Sequence, residues 1–168
     1  MIILGVDPGT ATTGVAVIKK HKDKHQKPTV IDFGCIITDK KDSMGKRLHI
    51  IHQEVSGLIV MHKPDIISVE SLFFFKNAKT IMPVSQAKGV VLLAAAQKGI
   101  PAIEFTPLQV KMAVVGYGNA EKKQVQKMTE QLLDLSLFDI KKKSRKKDDA
   151  ADALAIALCG ALAVQKKP

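Results

Sequence analysis

Asp7 ends an apolar run at residues 1–6, and Glu70 ends another at 66–69. Asp149 and Asp152 lie three apart near the start of an Ala- and Leu-rich segment, a spacing that puts both on one face of a helix. A carboxylate at the end of a buried strand costs several kcal/mol to desolvate unless a partner or a cation offsets it. If the fold gathers all four, their repulsion must be relieved by protonation or by divalent cations, and an all-oxygen donor set favours hard ions such as Mg²⁺ or Mn²⁺. Two such ions roughly 3.5–4 Å apart form the usual apparatus for cutting a phosphodiester, one activating a water and the other steadying the leaving oxygen.

Each residue also has a plainer explanation. Asp7 can cap the turn begun by Pro8 and Gly9. Glu70 can pair with a lysine at a sheet edge. Asp149 and Asp152 can simply complement a helix dipole, with Asp148 competing as its N-cap. Only the combination is specific, and the charge balance supports it. The chain carries 26 Lys and Arg against 16 Asp and Glu, a net charge of +10. Self-repulsion of that size favours an anionic partner, nucleic acid first, although a basic protein without such a partner is the alternative. Cys35 and Cys159 are too few for a disulfide framework and lack metal-ligand spacing, so both read as small core residues. The opening MIILGV has no basic flank and the apolar run 89–96 is too short to span a bilayer, so the expectation is a cytoplasmic protein that does not enter the membrane.

The elements that must position these groups follow from the pattern. With 168 residues, no Trp and 4% aromatics, residues 1–168 read as one domain with an aliphatic core. Residues 1–6, 14–18 and 29–38 read as an antiparallel meander, with a Lys-rich solvated hairpin at 19–28. Apolar positions recurring at three and four predict a helix over 43–61 with Ser43 as N-cap. Residues 65–70 read as a buried central strand. A second helix is expected over 83–97, opened by Pro83 and stopped by Gly99-Ile100-Pro101, then a short strand at 102–105. Asn119 is expected to cap a helix carrying Val125, Met128, Leu132 and Leu133. After the basic run 141–147, a last helix is expected from Asp148 or Asp149 to about Val164. Three antiparallel strands followed by alternating strands and helices make an α/β mixed sheet flanked by helices.

The segments ILGVDPGTATTGVAVI, SVESLFFFKNAKT and DDAADALAIAL, with QAKGVVLLAAAQKG and VKMAVVGYGNAEKKQVQ between the last two, resemble in this order the RuvC family of Holliday junction resolvases over nearly the whole chain. The resemblance implies a ribonuclease H-like fold and a homodimer in which each subunit nicks one of two opposed strands of four-way junction DNA. It implies Asp7, Glu70, Asp149 and Asp152 as catalytic residues and ligands of two Mg²⁺ ions, with Mn²⁺ able to substitute. Asp148 matches no catalytic position, although its helical spacing from Asp152 would allow it to face the metals. The branch-migration proteins RuvA and RuvB are expected partners on the family's account alone.

The same resemblance makes Phe73 the aromatic that wedges against bases at the junction centre, where stacking is worth roughly 1–3 kcal/mol per base. Burial under a loop is the alternative for Phe73, Phe74 and Phe75, and the last two are left unassigned. Lys76 and Asn77 look like phosphate contacts. Lys111 and Lys122 match basic positions near the active site, where lysine positions DNA without reading sequence. The helix 83–97 would make the dimer contact: Val90, Val91, Leu92 and Leu93 in succession cannot all face one core. The run 141–147, with Arg145, reads either as added non-specific DNA affinity or as a loop.

Three rivals stand beside this reading. D-P-G-T-x-T-T-G also resembles the phosphate loop of actin-like ATPases and sugar kinases, but those enzymes close two domains over a nucleotide and 168 residues leave no room for the second. A catalytically idle DNA-structure binder would not need all four carboxylates. A nuclease of the same fold acting on an RNA–DNA hybrid is opposed by Phe73 and the dimer helix.

Overall fold

The computed structural model of the chain describes residues 1–71, 78–137 and 147–164, with the side chains of 78–80 and 147 excepted. Phe73, Lys76, Asn77 and the run 141–146 therefore lie outside the described residues.

The five strands β1 (Ile2–Asp7), β2 (Thr12–Lys19), β3 (Thr29–Ile37), β4 (Ile66–Glu70) and β5 (Ala102–Phe105) form one sheet in the order β3-β2-β1-β4-β5. β1, β2 and β3 pair antiparallel, whereas β4 and β5 run parallel to β1, giving the expected mixed sheet. Helices α1 (Met44–His62) and α2 (Ala78–Gln97) cover one face, and α3 (Pro107–Val115), α4 (Lys122–Leu132) and α5 (Lys147–Ala163) cover the other. The strand period of two sorts β1 cleanly: Leu4 and Val6 enter the α1–α2 core, whereas Ile3 enters the α5 core. β4 does the same, with Ile67 and Val69 on the first side and Ile66 on the second. Asp7 and Glu70, in step with Ile3 and Ile66, therefore fall on the α5 side.

Two glycines let α5 lie directly on the sheet. A Cβ at Gly5 would come within 2.6 Å of the Ala157 nitrogen, and one at Gly14 within 2.6 Å of the Asp149 carbonyl carbon. Backbone touching backbone at those points leaves no space for any side chain.

Several expected boundaries move. Helix α2 begins at Ala78, with Pro83 inside it rather than opening it. Proline removes one helical hydrogen bond but holds a helix-compatible φ, so a helix can run through it. Helix α3 was not anticipated. Its Thr106 cap accepts a hydrogen bond from the Gln109 amide at 3.2 Å, while Gln109 accepts from the Thr106 amide at 2.8 Å. The cap of α4 is Glu121, not Asn119, and its amide donates to Gln124 Oε1 at 2.8 Å. Ser43 does cap α1, accepting from the Lys46 amide at 3.4 Å. The hairpin at 22–27 is exposed, as its lysines require. Among the described residues no helix is long and apolar enough to cross a membrane.

Candidate metal centre

Asp7 stands at the last position of β1, directly opposite Gly14 on β2. Because the first turn of α5 rests on Gly14, Asp149 and Asp152 are carried over Asp7. Carboxylate oxygens of Asp7, Asp149 and Asp152 lie within 4.8 Å of one another, close enough to share one cation. Glu70, on the neighbouring parallel strand, stands beside this group rather than in it. Its charge is nonetheless felt at Asp7. Asp148 is exposed and receives Gln126 Nε2 of α4 at 3.5 Å, with Lys122 Nζ 3.9 Å from its Oδ2.

The electrostatics are those of a site short of positive charge. Burial pushes the Asp7 carboxyl up to about 7, with the charges of Glu70, Asp152 and Asp149 adding to it and Lys122 opposing. Glu70 is raised by burial and by Asp152. Asp152 is raised chiefly by burial, against the pull of Lys122, which donates to its Oδ2 at 2.8 Å. Burial lowers the Lys122 ammonium, but its hydrogen bond to Asp152 and the charges of Asp152, Asp148 and Asp149 outweigh that and hold it up. An oxygen-only set, desolvated and mutually repelling, fits a hard divalent cation.

Lys111 and Lys122 share with Glu70 and Asp152 a cavity of about 180 Å³ floored by Val110, Val125 and Ile156. Lys122 thus contacts an acidic residue of the site directly, which its sequence position did not reveal. In α2, Val91 is buried and Val90 and Leu92 pack against the core, but Leu93 is 51% exposed and Met82 65%. Cys159 is buried, its thiol pushed up to about 11 by that burial, and Cys35 is half-buried.

Gly5 and Gly14 escaped the sequence reading, although a lone glycine inside a strand pattern signals close backbone approach. The loop joining β1 to β2 is also tied down. Thr13 is fully buried and its Oγ1 donates to the Gly9 carbonyl at 2.6 Å. The buried Thr38 hydroxyl donates to the Thr10 carbonyl.

Comparison with known proteins gives a family and a fold for most of the chain. The family described as crossover junction endodeoxyribonuclease RuvC matches residues 3–160. A crossover junction endodeoxyribonuclease RuvC of Thermosipho melanesiensis is 47% identical, with 99% of each chain covered. One of Syntrophomonas wolfei is 46% identical, covering 95% of this chain and 87% of its own. The structure of Thermus thermophilus RuvC in complex with Holliday junction substrate superposes with a TM-score of 0.86 at 30% identity, over 98% of this chain and 95% of that one.

Proposed function

The chain belongs to the RuvC family of crossover junction endodeoxyribonucleases, and from that membership we propose that it resolves four-way DNA junctions by paired symmetric nicks. The reaction class is hydrolysis of DNA phosphodiester bonds, and the domain that performs it spans residues 1–168. The observation that carries the reading is the meeting of Asp7, Asp149 and Asp152 within 4.8 Å at a site where burial and like charge push Asp7 to about 7. Those three residues with Glu70 would hold two Mg²⁺ ions, or Mn²⁺ in their place. Such ions supply a nucleophilic water at neutral pH and stabilise the leaving oxygen.

The protein's own contribution is placement. Asp7 and Glu70 are fixed by adjacent parallel strands, and Asp149 and Asp152 by a helix seated on glycine. Lys111 and Lys122 bring two cations to the cavity edge, where they would hold a backbone phosphate beside the carboxylates without reading bases. Phe73 would stack on bases at the branch point, with Lys76 and Asn77 on the phosphates nearby. A four-way junction has two equivalent scissile phosphates, which a two-fold homodimer can meet together. The exposed Leu93 and Met82 of α2 support a dimer contact there. RuvA and RuvB remain partners expected from the family.

Asp7→Asn tests the proposal. It removes a ligand while lowering repulsion toward DNA, so nicking should vanish while junction binding persists or tightens. Normal cutting by that variant would overturn the site assignment. Synthetic four-way junction, linear duplex and RNA–DNA hybrid, each with and without Mg²⁺, test the substrate. Symmetric nicks confined to the junction are expected, and preferential cutting of the hybrid would refute junction resolution.

A further inference from the structure

A chain of contacts reaches the Asp7 loop from the opposite face of the sheet. Helix α1 packs on the face away from α5, yet its first turns lie at the same end of the sheet as Asp7, because β3 runs parallel to β1 and leads into it. From there Arg47 Nε donates to Thr38 Oγ1 at 2.9 Å. The Thr38 hydroxyl in turn donates a hydrogen bond to the Thr10 carbonyl, and the Thr38 amide donates to the Ala11 carbonyl at 3.2 Å. Thr10 and Ala11 are the last two residues of the short loop that runs from Asp7 to β2. Thr38 is 5% exposed and Thr10 8%.

The placement of Arg47 is unfavourable for the helix itself. The first turn of α1 has no acidic residue, and cations at a helix N-terminus oppose its dipole. Lys46 beside it is balanced by Asp42 at 2.7 Å. Among the described residues no ion pair involves Arg47. Its defined contact is the hydroxyl that holds the loop.

We propose that Arg47, acting through Thr38, is a positioning residue that fixes the Thr10–Ala11 loop and with it the setting of Asp7 against Asp149 and Asp152. The proposal rests on the reading of those carboxylates as the metal centre. Because the hydroxyl stands in series between guanidinium and loop, losing either group releases the same loop. An aspartate at a strand end has its backbone fixed on one side by the sheet, and this strut fixes the far end of the loop that follows it.

The test uses Arg47→Met, Thr38→Val, their double variant and Thr38→Ser in the full chain. In metal-free protein, hydrogen exchange should show the Thr38 amide losing protection in Arg47→Met and Thr38→Val and keeping it in Thr38→Ser. Calorimetric titration with Mn²⁺ should show weaker binding in the first two. Single-turnover nicking of a four-way junction should fall by roughly tenfold to a hundredfold in both, and the double variant should be no worse than either single one. Thr38→Ser should cut as the wild type does.

Additive losses in the double variant would overturn the series arrangement. Weaker metal-free junction binding in Arg47→Met, with Thr38→Val unaffected, would overturn the strut and make Arg47 a phosphate contact. Wild-type exchange and Mn²⁺ affinity in both single variants would also overturn it. Failure of wild-type protein to bind Mn²⁺ or nick the junction would instead indict the metal-centre reading, which separates the two failures.

Discussion

Replacing Gly14 with alanine puts a methyl group where the first turn of α5 already lies. The new Cβ would stand 2.6 Å from the Asp149 carbonyl carbon, with the carbonyl oxygen nearer still. Two carbons in ordinary contact are about 3.5 Å apart, so one side must give by at least about 0.9 Å. Both sides are backbone, and Gly14 is the cross-strand partner of Asp7. Any relief therefore moves Asp149 relative to Asp7, and a misplacement of about 1 Å in a reacting geometry costs on the order of 100-fold in rate. Overpacking of this kind costs about 1–3 kcal/mol of stability, which a folded domain of this size survives. The measurement is single-turnover nicking of a saturating four-way junction across a range of Mg²⁺, with urea unfolding and metal-free junction binding alongside. The expected result is a rate lowered by about two orders of magnitude that added Mg²⁺ does not restore, with binding retained. An alanine variant as stable and as fast as the wild type would refute the idea that α5 is seated on Gly14.

Other outcomes follow from the same geometry. With EDTA present, stability should fall as pH rises. The Asp7 carboxyl titrates at about 7 in the folded state against 3.8 ordinarily, so its contribution is complete below about 4 and lost on passing 7, up to about 4 kcal/mol. Thermal melting from pH 4 to 8 checks this, and Mg²⁺ should flatten the upper part of the curve, because cations replace the missing protons. Lys122→Met removes the ammonium 2.8 Å from Asp152 and should lower metal-free melting at pH 7.5, an effect that saturating Mg²⁺ reduces. Gly160→Ala presses a methyl against Ser68, whose Cβ would lie 3.1 Å away and whose buried hydroxyl finds no hydrogen-bond partner among the described residues. The alanine should cost about 1–3 kcal/mol in urea unfolding. Ser68→Ala alone should be neutral or stabilising, and should recover part of that loss in the double variant.

Much of the fold was legible because its signals are local. The continuous apolar runs at 1–6 and 66–69, the three-and-four recurrence after Ser43 and the Ala-rich last helix all mark buried elements, and the five strands lie where those patterns put them. Errors fell where local rules compete. Pro83 looks like a start but sits inside α2, and Asn119 is a better intrinsic cap than Glu121, yet the Glu121–Gln124 contact wins. The helix Pro107–Val115 was missed because it is short and nearly apolar throughout, which blurs its period.

The sequence by itself determined which carboxylates are costly, since a charge closing a buried strand is unfavourable whatever surrounds it, and its ordered motifs carried the family. Only the tertiary structure decided how those charges meet. Gly14 sets the height of α5 over Asp7, Glu70 stands beside the closest three rather than among them, Lys122 takes Asp152 as its partner, and Arg47 reaches the Asp7 loop through Thr38. Each of these depends on atoms far apart in the chain approaching within a few ångströms, and the spacing of residues along one element carries no record of what another element will press against it.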